Sequence, residues 1–336
     1  MTWRCYSTIF KAESPIHIGY RQIGILKTTR YYITGRAMWG AITANLTRAL
    51  FSNPAPKDYQ TVGNFVKENI RTTYFYPAIK KNEAGSGSWS EYEVDGYLYL
   101  VFLPEYTDRG IKFGGEPKGI PKEEFEQTFV DSFVSTALET QTRTAEEGSL
   151  HEFEFIRNKV SIENKPYNVY WVGYLVVKEN GEKEEYKIKN CEENDVTIVE
   201  PSGNEAHLSE VIHRVFVGGE KNYGLGRLIL EPEGFKLKGL ELFGKFKFGV
   251  DNEKPVITGD TAPAHVKLGE NELKEGFLGE IEPVVGLEWS EKGAGQSVSS
   301  AVVCITPGSR FVEQNYHRTT RKIEYILHEY GLLIIK

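Results

Sequence analysis

Cysteine is scarce in this chain. Cys5, Cys191 and Cys304 are spread over 336 residues, and none has the spacing of a metal-ligand pair. They read as reduced thiols of a cytoplasmic protein. No apolar run approaches the roughly 20 residues that a membrane helix needs. The amino terminus, Met1-Thr2-Trp3-Arg4-Cys5-Tyr6, has no apolar signal core, which speaks against secretion. No fixed-period repeat is visible, so repeat architectures are not expected. No cofactor and no resident metal are expected either.

Charge is present but uneven. The formal net charge is −7. Residues 1–80 carry 11 Lys and Arg against three acids, Glu13, Asp58 and Glu68, a net +8, so the rest of the chain carries −15. A basic segment on an acidic body fits a polyanion held on one side. Tyr20, Tyr31, Tyr32 and Trp39 are interleaved with Arg21, Lys27, Arg30 and Arg36.

Glycine is locally abundant. Gly218, Gly219, Gly224 and Gly226 fall within nine positions, with Lys221, Tyr223 and Arg227 among or beside them. Such density points to positive φ or to a backbone that something approaches closely. Exposed backbone N–H groups beside cations suit phosphates. No GK[ST] closes the loop, and a helix-like run precedes it while a strand follows. Both facts exclude the common nucleotide-binding loops. A plain turn between elements is the competing reading.

The chain is long enough for two domains. Residues 2–10 read as a strand, and 16–33 as two β-rich pieces around Arg21-Gln22. Met38, Ala41, Ile42, Leu46, Ala49 and Leu50 recur at helical spacing, followed by Pro54 and Pro56. Residues 93–103, 150–156 and 167–177 read as strands. Gly85-Ser86-Gly87-Ser88 reads as a flexible loop. Asn180-Gly181 predicts a tight hairpin between 174–177 and 186–188. Residues 205–216 read as a helix, and 320–333 as a helix or a helix and strand. Without regular βα alternation, the fold class is α+β.

Three separated segments resemble the RAMP superfamily of CRISPR-associated proteins. Tyr32-Ile33-Thr34-Gly35-Arg36-Ala37-Met38-Trp39-Gly40-Ala41-Ile42 is similar to that family's apolar-Pro-Gly-Ser-Ser-apolar-Lys-Gly helix start, with Thr34 for Pro and Trp39 where a basic residue often stands. The segment from Arg143 to Glu154 is similar to its Gly-x-Leu-Phe-x-x-Glu strand start, with His151 for Phe. Residues 218–227 resemble its signature glycine-rich loop. More loosely, Gly286-Leu287-Glu288-Trp289-Ser290, Lys292-Gly293 and Pro307-Gly308-Ser309-Arg310-Phe311 resemble the C-terminal half of larger type III effector subunits.

The resemblance implies tandem ferredoxin-like (RRM-like) domains with insertions. The first, 1–238, contains the glycine loop; the second, 239–336, is ferredoxin-like or a degenerate RAMP domain. It implies CRISPR RNA, possibly target RNA, and other subunits of a type III complex as partners, in antiviral defence, in the cytoplasm and away from membranes. The RNA-binding residues it points to are Arg21, Lys27, Arg30, Arg36, Gly218, Gly219, Lys221, Tyr223, Gly224, Gly226 and Arg227. Backbone N–H groups at the helix start near Arg36 suit a phosphate.

Some RAMP proteins cut RNA. His17 lies between apolar neighbours and reads as a packed core residue before it reads as an acid–base catalyst. No Asp or Glu stands between Gly19 and Gly40, where target-cutting subunits carry one. His207 and His213 are six apart and do not share a helix face; His317 and His328 read as surface residues. Arg143 faces either RNA or the acids Glu146 and Glu147. Trp39 is core or a base platform. Three functions stay open: an RNA-binding structural subunit, a metal-independent endoribonuclease of precursor CRISPR RNA, and a scaffold without RNA contact.

Overall fold

The structure, a computed structural model, describes residues 2–80, 91–94, 97–114, 119–139, 144, 148–269, 276–312 and 322–336. Arg143, Glu146, Glu147, His317 and Gly85-Ser86-Gly87-Ser88 lie outside them.

An antiparallel eight-stranded sheet forms the middle layer. Its order runs Arg214–Phe216, Arg227–Leu237, β1 (Trp3–Ala12), Tyr170–Lys178, Tyr76–Lys80, Tyr97–Val101 and Glu91–Val94, and Ile70–Thr72 also pairs with Tyr170–Lys178. Two helices, α1 (Gly35–Leu50) and α2 (Pro56–Asn69), connect β1 to the strands at 70–80. The four inner positions thus follow the order 4-1-3-2 of a βαββαβ unit. The second crossover helix is cut to one turn, Leu208–Val211.

Period-2 geometry explains the sheet's two faces. On β1, Tyr6, Phe10 and Ala12 pack with the helices, while Trp3, Cys5 and Ile9 join a second core. On the neighbouring strand Trp171, Leu175 and Val177 face the first core, and Tyr170, Val172, Tyr174 and Val176 the second. Both strands are therefore apolar on both faces, which is why residues 2–10 alternate so weakly.

The second core is closed by residues 239–336. Their eight-stranded sheet runs Glu241–Leu242, Phe246–Asp251, Lys254–Gly259, Ile323–Leu327, Leu333–Ile335, Val266–Lys267, Val302–Ile305 and Ile281–Val284. Leu242, Phe243, Ile257, Val266, Tyr325 and Leu333 pack against Tyr74, Tyr76 and Tyr174. Helices, sheet and sheet make three layers, an α+β architecture. Among the described residues of 239–336 there is no α-helix, so the helix-on-sheet packing of a second complete ferredoxin-like unit is not seen there.

Several sequence readings change in three dimensions. Met38, Ala41, Ile42, Leu46 and Leu50 are buried on α1, but Ala49 is exposed. Asn180-Gly181 makes a turn, with Asn180 at φ 53°. It does not pair its flanking strands, because Tyr170–Lys178 is already filled on both edges and Tyr186–Cys191 joins a separate sheet with Val196–Val199. Residues 205–216 form strand, one helical turn and strand. Residues 323–327 are a strand of the second sheet.

A buried polar network joins the layers. His265 is fully buried; Tyr74 donates to its Nδ1 (2.7 Å), and its Nε2 faces Glu282. These partners set the neutral tautomer with the proton on Nε2. Arg30 donates to Glu282 (2.7 Å) and to Tyr32 Oη (3.1 Å). Burial holds the His265 imidazole below its ordinary value. Burial alone would raise the Glu282 carboxyl, but the His265 hydrogen bond and the Arg30 charge outweigh it and push it down to about 2.

Both groups bind fewer protons folded than unfolded, so stability falls as pH drops. The loss begins below 6.5, the ordinary histidine value, as unfolded His265 takes up a proton. It continues from 4.5 toward about 2 as unfolded Glu282 does. Thermal melts across pH 7 to 3 should show this decline, and His265→Gln should flatten its upper part. Glu282→Ala should destabilise by about 3 kcal/mol, because it leaves Arg30 buried and unpaired.

Candidate nucleic-acid interface

The glycine loop folds back on the segment Pro15-Ile16-His17. Gly226 N–H donates to the Pro15 carbonyl (2.9 Å), and Gly219 N–H to the His17 carbonyl (3.0 Å). Gly218, Gly224 and Gly226 have φ of 76°, 82° and 94°. A Cβ on Gly218 would collide with the His17 carbonyl oxygen, and one on Gly226 with that of Val217; Gly224 faces open space. Leu225 between them is buried. Two of the glycines are thus demanded both by handedness and by close backbone contact inside the protein.

His17 lies beneath the loop, buried, with Nδ1 2.6 Å from the Glu154 carbonyl oxygen. This is the packed setting that its apolar neighbours predict. Tyr223 reaches across to His151, its hydroxyl 3.0 Å from Nε2, and lies beside Phe153. Arg227 pairs with Glu13 at 3.0 Å.

The N-terminal cations do not form a free basic face. At least six of the 11 pair with acids from later in the chain. Lys27 meets Glu220 (2.7 Å), Arg30 Glu282 (2.7 Å) and Arg36 Glu288 (3.2 Å). Arg4 meets Glu179 (2.5 Å), Lys80 Glu231 (2.5 Å) and Lys67 Glu329 (4.0 Å). Arg30 is the extreme case, with a side chain only 12% exposed. Arg21 is exposed and lies over the Tyr20 ring (4.6 Å).

The start of α1 is also occupied. Thr34 Oγ1 accepts from Ala37 N–H. The Tyr330 carbonyl oxygen stands where a Cβ on Gly35 would be, and Arg36 stacks on the Tyr330 ring at 3.8 Å. The helix start that suits a phosphate in the sequence is covered by the turn around Tyr330 in the fold.

What remains open is a groove of about 700 Å³ between α1, the glycine loop and residues 285–295. Arg48 and Lys221 line it, and neither makes an ion pair among the described residues. Lys221 donates only to the Phe216 carbonyl (3.3 Å). Desolvation, with the Arg48 charge added, holds its ammonium below the ordinary lysine value. The acid that lines the groove, Glu288, is paired with Arg36 at 3.2 Å and makes no ion pair with either cation. Phe216, Val285 and Leu287 supply exposed apolar surface in the same groove, Phe216 at 46% exposure. Trp39 borders it but is buried, its Nε1 donating to the Gly63 carbonyl (2.9 Å). Trp289 stacks on Tyr59 at 4.6 Å.

Of the residues picked from sequence, Arg36, Gly218, Gly219 and Lys221 line this groove. Arg21, Lys27, Arg30, Tyr223, Gly224, Gly226 and Arg227 do not. Sequence reasoning passed over Arg48 and Phe216. Arg48 sits in the last turn of α1 on its polar face, which was the available signal; Phe216 gave none, since an aromatic in an apolar run reads as core. No cluster of His, Cys, Asp and Glu among the described residues has the form of a metal site. No helix among them is long and apolar enough to cross a membrane.

Solved structures resemble this chain at low identity. A type III-B Cmr-beta cryo-EM structure bound to cognate target RNA and AMPPnP is 10% identical, covers 91% of this chain and 85% of its own, and has a TM-score of 0.46. One bound to cognate target RNA is 10% identical over 91% and 86%, with a TM-score of 0.44. The Cmr-beta apo state is 10% identical over 68% and 96%, with a TM-score of 0.34. No protein-family model and no curated protein matches.

The loop geometry separates the glycines. Gly224→Ala should lower stability by roughly 1 kcal/mol, the cost of a Cβ in the left-handed region. Gly218→Ala and Gly226→Ala should cost more, since each also strikes a carbonyl oxygen. Denaturant unfolding of the three variants checks this order.

Proposed function

We propose that this chain is an RNA-binding subunit of a type III CRISPR effector complex, with guide RNA or the guide–target duplex lying in the groove between α1 and the glycine loop. The observation that carries the reading is the pair of uncompensated cations, Arg48 and Lys221. Six of the other ten cations of the N-terminal segment are matched by an acid, whereas Arg48 and Lys221 sit close together on the groove with no ion pair among the described residues, which suits an external anion. Phe216, Val285 and Leu287 beside them offer the apolar surface on which unpaired bases stack. The family resemblance of the helix start, of the glycine loop and of residues 286–290 supports the same reading, because all three segments border this groove. Residues 1–238 and 239–336 form its opposite walls, so we divide the chain there. Cytoplasmic location and partner subunits follow from the same assignment.

Cleavage of precursor RNA is the weaker reading. His17 is buried and bonded to a main-chain carbonyl, which leaves a phosphodiester no approach to it.

Arg48→Glu with Lys221→Glu should weaken single-stranded RNA binding and reduce the salt slope by about 1.4, two phosphate contacts at about 0.7 each. Filter binding across a salt series reads both; an unchanged slope defeats the assignment. Phe216→Ala should cost about tenfold in affinity, within the roughly 1–3 kcal/mol of one stacked base. Arg30→Glu should lower the melting temperature instead, since its charge is spent on Glu282.

A further inference from the structure

A second cavity, of about 140 Å³, lies beside the groove, between β2 (Gly19–Ile23), β3 (Leu26–Thr29) with the chain that follows it, and the second half. Tyr20, Tyr31, Tyr32, Tyr106 and Phe113 wall it. Aromatic walls and a volume of this size suit one planar ring system. Its polar groups are specific. Arg30 lies over the Tyr20 ring at 4.7 Å with its charge paired to Glu282, and Lys122 pairs with Glu126 at 3.6 Å. Glu280 offers a carboxylate that is exposed and makes no ion pair among the described residues. Its backbone is fixed on both sides, N–H to Thr306 Oγ1 (3.2 Å) and C=O from Thr306 N–H (2.9 Å).

The cavity adjoins the groove along three stretches of chain. Ile18 and Gly19 line the groove and Tyr20 the cavity; Thr34 and Arg36 the groove and Tyr31 and Tyr32 the cavity; Val285 and Gly286 the groove and Glu282 the cavity.

We propose that this cavity takes one guanine base of the bound RNA, an assignment that rests on the RNA-binding reading for the source of the base. A carboxylate acceptor rejects phosphate and the carbonyl edge of uracil. Guanine presents two adjacent N–H donors, N1–H and the 2-amino group, which a carboxylate accepts together. Aromatic walls stack an unpaired base in the way single-stranded RNA is commonly read.

The test uses the full chain and free nucleosides, so it does not depend on the groove. Guanosine, inosine, adenosine and uridine are titrated while intrinsic tyrosine and tryptophan fluorescence is followed. Guanosine should bind at least tenfold more tightly than inosine, which lacks the 2-amino group, and than uridine. Glu280→Gln, at an exposed position that leaves the melting temperature unchanged, should abolish that preference. The groove variant Arg48→Glu with Lys221→Glu should bind guanosine normally while losing RNA. Equal affinity for guanosine and uridine, or an unaltered preference in Glu280→Gln, overturns the proposal. Unaltered RNA binding by the groove variant overturns instead the RNA strand as the source of the base.

Discussion

Charge pairing between distant parts of the chain is the constraint on which the rest of this structure depends. The N-terminal segment is strongly basic and the remainder acidic, and the fold brings the two together. Arg30, Arg36 and Lys67 of the first half meet Glu282, Glu288 and Glu329 of the second. The reverse pairing also occurs: Glu105 is buried between Lys245, at 2.7 Å, and Arg310. Isolated surface pairs contribute little, but Arg30–Glu282 and Glu105–Lys245 are largely desolvated. Their cost when broken is high, so they fix how the second sheet lies on the first.

That seating creates the open sites. The second sheet covers one face of the central sheet, and the hairpin that follows its strand Ile281–Val284, Leu287–Ser290 with Gly293–Val298, lines the groove with α1 and the glycine loop. The groove exists because two layers end at different places there. The same seating puts the carbonyl of Tyr330 on the start of α1, which closes the helix terminus and leaves the groove with Arg48 and Lys221 open.

The glycine loop illustrates how one sequence feature carries two roles. Gly218 and Gly226 let the loop press onto Pro15-Ile16-His17, a packing requirement. Once pressed there, the loop holds Lys221 on the groove wall. Its influence on a ligand runs through the position it gives to one cation, because the N–H groups of Gly219 and Gly226 are spent on the His17 and Pro15 carbonyls.

Local chemistry alone determined much of this protein. The spacing of Met38, Ile42, Leu46 and Leu50 dictates an amphipathic helix; the glycines at 218, 224 and 226 demand positive φ; the apolar flanks of His17 announce its burial. These are properties of neighbouring residues, legible without partners. The Asn180-Gly181 turn was equally legible as a turn, yet which strands it separates depended on sheet edges already filled by β1 and by the strands at 70–80. Tertiary structure alone decided which cations stay free. Arg30 and Arg48 look alike in the sequence, but Glu282, 252 residues from Arg30, neutralises one, and no acid among the described residues pairs with the other. Electrostatic compensation acts through space, so a count of charge along the chain cannot show where charge remains.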